Sequence, residues 1–262
     1  MPLSCMENEN ITYEQPLNEQ VRLCLRLEFL FAQVDHCLSK KSEWDIRQAI
    51  NTLLKISNIT DRPDLKNKLG QVLAWHAAAL SQLENFPEVD KNKLRDTLNK
   101  INILLDNLRA NTQKPGQILR ENDFLNTIQQ RLHASAGTCN FSLPGYYLWL
   151  QQDQEKIRTQ LLAWLEAFQQ IHEVIKIILN LTRQNTDFKK DIKATNGFYQ
   201  ANLETNINYQ MIRIRLKGKK KLFPEISIGR HRLAIHFFNI DINGRAVQTT
   251  NDVIFELACC KI

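Results

Sequence analysis

The chain has 262 residues, 43% of them hydrophobic and 24% charged, with 34 basic against 28 acidic side chains for a formal net charge of +6. That is ordinary globular composition, long enough for one large or two modest cores, and it excludes a disordered or fibrous chain. No apolar run approaches the ~18 residues that a membrane-spanning helix needs, and Glu7, Glu9, Glu14 and Glu19 interrupt the first thirty residues, so no secretory signal is expected. Six cysteines (Cys5, Cys24, Cys37, Cys139, Cys259 and Cys260) in a chain of this size read as reduced thiols, which places the protein in the cytosol.

Residues 16–184 carry a helical period. Leu17, Val21, Cys24, Leu27, Phe31, Val34 and Leu38 form the first apolar stripe, widened by Leu23, Phe29 and Leu30, which predicts burial on more than one side. Ser42 with Asp45 predicts a cap before Trp44, Ile46, Ile50 and Leu53. Asp61 and Pro63 predict a third start before Leu65, Leu69, Val72, Trp75, Ala79 and Leu83. Phe86, Pro87 and Asp90 restart the chain before Leu94, Leu98, Ile101, Leu105 and Leu108, and Lys114-Pro115-Gly116 turns it. A shorter helix spans about Ile118 to Leu132. Asp153 then caps the longest helix, expected to run for about 30 residues, or roughly 45 Å, through Ile157, Leu161, Trp164, Phe168, Ile171, Ile175 and Ile178. Five or six antiparallel helices are expected, with Trp44, Trp75 and Trp164 in the core and Tyr146, Tyr147 and Trp149 plugging the joint between bundle and sheet.

After Asn196-Gly197 the period changes to two. Ile207, Tyr209 and Met211 share one parity and Ile212, Ile214 and Leu216 the other, so a bulge is expected at 211–212. Lys217 to Lys221 reads as a hairpin connection, Gly229-Arg230 as a turn before Leu233, Ile235 and Phe237, and Asn243-Gly244 as a strong hairpin signal. Val253, Phe255, Leu257 and Cys259 alternate in a final strand. The predicted class is α+β: an N-terminal antiparallel helical bundle over 16–184, then a C-terminal antiparallel β-sheet domain over 196–262, with residues 8–15 a candidate extra strand.

Charge is concentrated. Between positions 213 and 232 stand Arg213, Arg215, Lys217, Lys219, Lys220, Lys221, Arg230 and Arg232 against Glu225 alone, a window of +7 that leaves the remaining residues at −1. A near-neutral body with one positive field predicts a surface for an acidic partner, and these eight residues are the candidate partner-binding set. Catalytic and metal motifs are not visible: there is no His-Glu-x-x-His, no paired Cys-x-x-Cys and no phosphate-binding glycine loop. Cys259 and Cys260 are strand neighbours that point to opposite faces, which predicts one buried and one half-exposed thiol and not a metal site. No enzymatic activity, cofactor or metal is expected. A nucleic-acid-binding role for the basic hairpin is the alternative, weakened because the aromatics follow the apolar parity and do not interleave with the cations.

Several blocks carry a more specific likeness: Tyr13-Glu14-Gln15-Pro16-Leu17-Asn18-Glu19 through Leu27-Glu28-Phe29-Leu30, Gly116 to Glu121, Phe141 to Pro144 with Trp149-Leu150, Asn196 to Gln200, and Phe255 to Cys260. In this order and spacing, from Ile11 onward, the chain resembles the ZapD family of bacterial Z-ring associated proteins. The resemblance implies a cytoplasmic, non-enzymatic division factor acting at midcell. It implies a homodimer that binds the C-terminal tail of the tubulin-like GTPase FtsZ and bundles its protofilaments. It also implies tail binding by cations near the β domain, with Arg232 matching such a position. The chain departs from the family at Asp252 and near Asn58, where basic residues are expected, which points to Lys217 through Lys221 as the redistributed charge, with Tyr209, Phe223 and His236 as apolar contributors to selectivity.

Overall fold

A computed structural model describes residues 10–40, 42–111, 113–218, 221–229 and 231–262. The elements in chain order are β1 (Ile11–Pro16), α1 (Glu19–Leu38), α2 (Glu43–Thr60), α3 (Leu65–Ser81), α4 (Lys91–Ala110), α5 (Gln117–Arg120), α6 (Asp123–Arg131), α7 (Pro144–Leu150), α8 (Gln154–Glu166) and α9 (Gln169–Gln184). They are followed by β2 (Lys189–Ala194), β3 (Phe198–Asn202), β4 (Tyr209–Leu216), β5 (Phe223–Ile228), β6 (Arg232–Ile240), β7 (Ala246–Gln248) and β8 (Val253–Lys261). The arrangement is α+β, and it divides into two compact units: Leu23–Leu179, and residues up to Arg22 together with Asn180–Ile262.

In the helical unit the stripe of α1 is buried as its spacing requires: Cys24, Leu27 and Val34 are fully enclosed, while Phe29, which was expected to widen it, is 67% exposed. Each enclosed Leu or Phe contributes about 1.5–3 kcal/mol. Ser42 caps α2 by accepting from the Asp45 N–H, Asp90 caps α4 and Asp153 caps α8. Asp64, by contrast, caps α3 without a side-chain hydrogen bond. The segment Ile118 to Leu132 is two helices separated at Glu121-Asn122, with the Asn122 side chain capping the second.

Three expectations are corrected here. The 30-residue spine is broken at Ala167-Phe168, where a tight turn (Phe168 N–H to Leu165 carbonyl, 2.9 Å) separates α8 from α9. Only Trp164 of the three expected core tryptophans is buried; Trp44 is 78% and Trp75 48% exposed. On α3 the inward row is Leu65, Leu69, Val72, Leu73 and His76. Finally, the aromatic run joins a ring cluster inside the helical unit: Tyr146 and Trp149 pack on Phe124, and Trp149 stacks on Trp164 at 6.1 Å.

The strand-rich unit is a two-sheet sandwich. Sheet A has the order β1-β4-β8-β2; sheet B has β3-β6-β5, with β7 also pairing β6. All described strand pairs are antiparallel. The inward parity of both sheets meets in one core of Ala194, Ile212, Ile214, Leu216, Leu233, Ile235, Phe237, Val253, Phe255 and Leu257. The parity switch in β4 is a bulge against β8, where the register slips between Tyr209 and Met211, one residue earlier than the spacing suggested. Strand structure also begins earlier than 196, with β2 ahead of the Asn196-Gly197 turn, whose two residues both take positive φ (51° and 70°). At Asn243-Gly244 the turn forms as expected, with Gly244 at φ 77° and the Asp241 carboxylate accepting from the N–H groups of Asn243 and Arg245. Lys217 to Lys221 is not a hairpin: β4 lies in sheet A and β5 in sheet B, so this segment crosses between the layers of the sandwich.

A candidate partner-binding surface on the sandwich

That crossover divides the basic window. Alternation places Arg213 and Arg215 on the outer face of sheet A, opposite the inward Ile212, Ile214 and Leu216. Both guanidinium groups are engaged. Glu14 on the neighbouring β1 accepts from Arg213 Nε at 2.9 Å and from Arg183 Nη2 at 2.7 Å. Glu256 on β8 accepts from Arg215 Nη1 at 3.1 Å and lies 3.4 Å from Lys217 Nζ, which also faces Asp191 at 3.6 Å. The Phe188 ring lies under Arg213 and Arg215, with guanidinium carbons 4.9 and 3.8 Å from its centroid.

Burial raises the Glu14 carboxyl, but the hydrogen bonds and charges of Arg183 and Arg213 outweigh that and hold it below its ordinary value. The group therefore adds stability above the ordinary carboxyl pKa, and that stability is lost as pH falls through the lower folded-state value. Glu14→Gln is expected to lower the unfolding free energy by about 2 kcal/mol at neutral pH in a urea titration, because two half-buried guanidiniums lose their counter-charge. An unchanged midpoint would mean that these arginines are energetically available to other anions.

The remaining cations lie elsewhere. Lys221 is exposed in the crossover, and Arg232 opens β6 on the outer face of sheet B, exposed and without an ion pair among the described residues. Lys219, Lys220 and Arg230 lie outside the described residues. Around Arg232 the outer face of sheet B carries an aromatic row that sequence spacing did not assemble. Phe198 on β3 packs on His236 with ring centroids 4.7 Å apart, and Phe238, two residues further along β6, stacks on Phe223 of β5 at 5.9 Å. Gln248 on β7 bonds His236 Nδ1 at 3.3 Å, and Glu225 is the cross-strand neighbour of His236. Phe223 and His236, expected to contribute to selectivity, thus share this face, whereas Tyr209 sits in sheet A. The signal for the row was present in the parity of Phe223, His236 and Phe238, but its assembly needed the register of three strands.

Asp252 and Asn58, the two positions where the resemblance implied basic residues, have local roles. Asp252 pairs with Lys193 at 2.7 Å and accepts from the Asn196 N–H at 3.1 Å, fixing the turn between β2 and β3. Asn58 accepts from Gln129 at 2.8 Å. Cys260 is fully buried and its thiol is pushed up to about 11 by burial, while Cys259 is half-buried, the split that the strand alternation predicts. No described helix is long and apolar enough to cross a membrane.

Taken from the residues upward, this is a two-unit α+β protein whose β-sandwich presents an outer face of aromatic rings with exposed Arg232 on the same strand as His236 and Phe238. The family model for ZapD, described as a cell division protein, matches residues 25–236. The cell division protein ZapD of Coxiella burnetii (strain RSA 331 / Henzerling II) is 41% identical over 254 residues, covering 96% of this chain and 98% of the relative. That of Methylococcus capsulatus is 34% identical, covering 98% and 100%, and that of Aromatoleum aromaticum 33%, covering 96% and 98%. The chain belongs to the ZapD family of cell division proteins.

Proposed function

We propose that the protein binds the C-terminal tail of FtsZ and, as a homodimer, crosslinks FtsZ protofilaments to support Z-ring assembly, in the cytoplasm at midcell and without enzymatic activity or cofactor. The observation that carries the tail-binding site is the outer face of sheet B, where Arg232 stands at the end of a row formed by Phe198, His236, Phe238 and Phe223. An extended peptide with acidic and apolar residues matches such a row: the rings take its side chains, and the guanidinium grips a carboxylate. Arg213, Arg215 and Lys217 are held by internal carboxylates, so the tail-facing charge falls to Arg232 and Lys221, with Lys219, Lys220 and Arg230 as further candidates.

Exposed ion pairs contribute roughly 0.2–1 kcal/mol each, so a single site binds weakly and with salt sensitivity. Two sites on a dimer, facing filaments that display many tails, raise the effective concentration at the second contact and convert weak binding into crosslinking. Co-sedimentation with FtsZ filaments is the test. Bundling is expected with intact FtsZ and lost when its tail is removed, and Arg232→Glu combined with Phe238→Ser should reduce bundling at least tenfold in the protein concentration required. Equal bundling of tailless filaments would overturn the mechanism. Binding to nonspecific duplex at physiological salt, with a steep multi-phosphate salt slope, would favour the nucleic-acid alternative.

A further inference from the structure

The chain contains two Asn-Gly pairs, Asn196-Gly197 and Asn243-Gly244. This dipeptide carries a latent reaction: the asparagine carboxamide is an electrophile at Cγ, and the nitrogen of the following peptide bond is a nucleophile that can close a succinimide ring on it. Glycine shields that nitrogen least, because it has no Cβ. Both pairs occupy turns with a left-handed glycine, at φ 70° for Gly197 and 77° for Gly244. Local sequence gives them the same chemistry, and what separates them is how firmly each turn is held.

Asn196-Gly197 is enclosed. Gly197 is buried, and a Cβ placed on it would stand 2.4 Å from the Thr249 carbonyl oxygen and 2.7 Å from Thr249 Cγ2. The Gly197 carbonyl accepts from the Phe237 N–H at 2.8 Å, the Asn196 N–H donates to the Asp252 carboxylate at 3.1 Å, and the Asn196 carbonyl accepts from Gln248 Nε2 at 3.5 Å. Ring closure needs the peptide plane between the two residues to turn toward the side chain, which would disrupt this packing and the bond from the central strand β6.

Asn243-Gly244 is the opposite case. It lies at the tip between β6 and the three-residue β7, both of its residues are exposed, and Ile242 beside them is wholly exposed. No heavy atom lies within 4 Å of where a Gly244 Cβ would stand, and the Asn243 carboxamide makes no hydrogen bond among the described residues. Among those residues the turn is held through Asp241. Its carbonyl accepts from the Gly244 N–H at 3.0 Å, its carboxylate accepts from the N–H groups of Asn243 and Arg245 at 2.8 Å each, and its own N–H donates to the Arg245 carbonyl at 2.9 Å. One local opening therefore releases the attacking nitrogen, and it does so at a loop tip, where opening free energies are the lowest in a fold.

We propose that Asn243 is a site of spontaneous covalent modification, at which the fold permits deamidation that it denies to Asn196. The Gly244 nitrogen attacks Asn243 Cγ; the new C–N bond forms as the bond from Cγ to the side-chain nitrogen breaks, and that nitrogen leaves as ammonia with the proton from Gly244. Water opening the ring at Cγ gives aspartate. Opening at the main-chain carbonyl leaves the chain running through the former side chain, as isoaspartate. One water enters and one ammonia departs, with no oxidant, cofactor or enzyme. Either product sets a carboxylate close to that of Asp241, and the repulsion loosens its hold on the Asn243 and Arg245 N–H groups. Strand β7 pairs with β6 only from Ala246 to Gln248, so the change reaches Gln248, which bonds His236. The site itself does not depend on what the outer face of sheet B binds.

Peptide mapping by mass spectrometry on the full chain, aged in its folded state at mildly alkaline pH, tests this. Conversion at Asn243 is expected to run at least tenfold faster than at Asn196, to yield both aspartyl and isoaspartyl peptides, and to quicken as pH rises, because the nitrogen attacks once its proton is lost. In concentrated urea the two pairs should convert at similar rates, since only the fold distinguishes them. Equal rates in the folded chain, or conversion of Asn243 in urea alone, overturns the proposal. Asp241→Ala is the second arm. It removes the carboxylate from the turn and should speed conversion at Asn243 several-fold while leaving Asn196 unchanged. An unchanged rate at Asn243 in that variant would mean that opening of the turn does not gate the reaction, and would also overturn it.

Discussion

Gly116→Ala is expected to destabilise the protein by about 3 kcal/mol in urea unfolding. Two independent effects add at this position. The backbone takes φ 69°, a left-handed conformation that costs a residue with a Cβ roughly 1–2 kcal/mol. An added Cβ would also stand 2.3 Å from Phe168 Cε1 and 2.4 Å from Cζ. Phe168 is fully buried at the break between α8 and α9, so its ring cannot move aside without disturbing the packing around it, a further cost of about 1–3 kcal/mol. A double-mutant cycle divides the two: in a Phe168→Leu background the steric part should largely vanish while the backbone part persists. A loss below about 1 kcal/mol in Gly116→Ala would show that neither effect is rigidly imposed.

Acid should weaken the helical unit through His76. This imidazole is 4% exposed on the inward row of α3, and burial drives it down to about 4 from the usual 6.5. The sign follows from linkage: the folded state holds the neutral ring and the unfolded chain takes the proton more readily. Stability is therefore complete above the unfolded pKa and falls as pH drops through the window from 6.5 toward 4. The expected loss from this group is about 2 kcal/mol by pH 5. Comparing urea midpoints at pH 7.5 and pH 5 for the wild type and His76→Leu isolates it, because the variant keeps every other titration. An equal acid loss in both would remove His76 as the cause.

Local signals were legible in the sequence and long-range ones were not. The Ser42 cap, the stripe of α1, the bulge in β4 and the turn at Asn243-Gly244 each depend on a few neighbouring residues, and each forms. The break at Ala167-Phe168 escaped because Ile157 through Ile178 keep one helical phase across it and no glycine or proline marks it. Trp75 and His76 exchanged roles because hydrophobic identity was read in place of position: the row set by Leu69, Val72 and Leu73 turns inward at His76. For the surface, composition revealed the basic window but not its division. The carboxylates that hold Arg213 and Arg215 lie 199 and 41 residues away in sequence, and only strand order brings them together. The assignment of β4 and β5 to different sheets was equally invisible, since a lysine-rich turn between two strands reads alike whether they pair or part.

The discontinuity of the sandwich unit has a consequence for biosynthesis. Strand β1 leaves the ribosome before the helical unit, yet its ladder partner β4 follows about two hundred residues later, and β4 in turn needs the still later β8. All of Leu23–Leu179 is translated in that interval. The helical unit, made in between, can consolidate while translation continues, but the sandwich can close only once β8 has been made. During that delay the nascent chain carries an unpaired β1, so chaperone occupancy should concentrate on β1, and loss of β8 should leave it exposed.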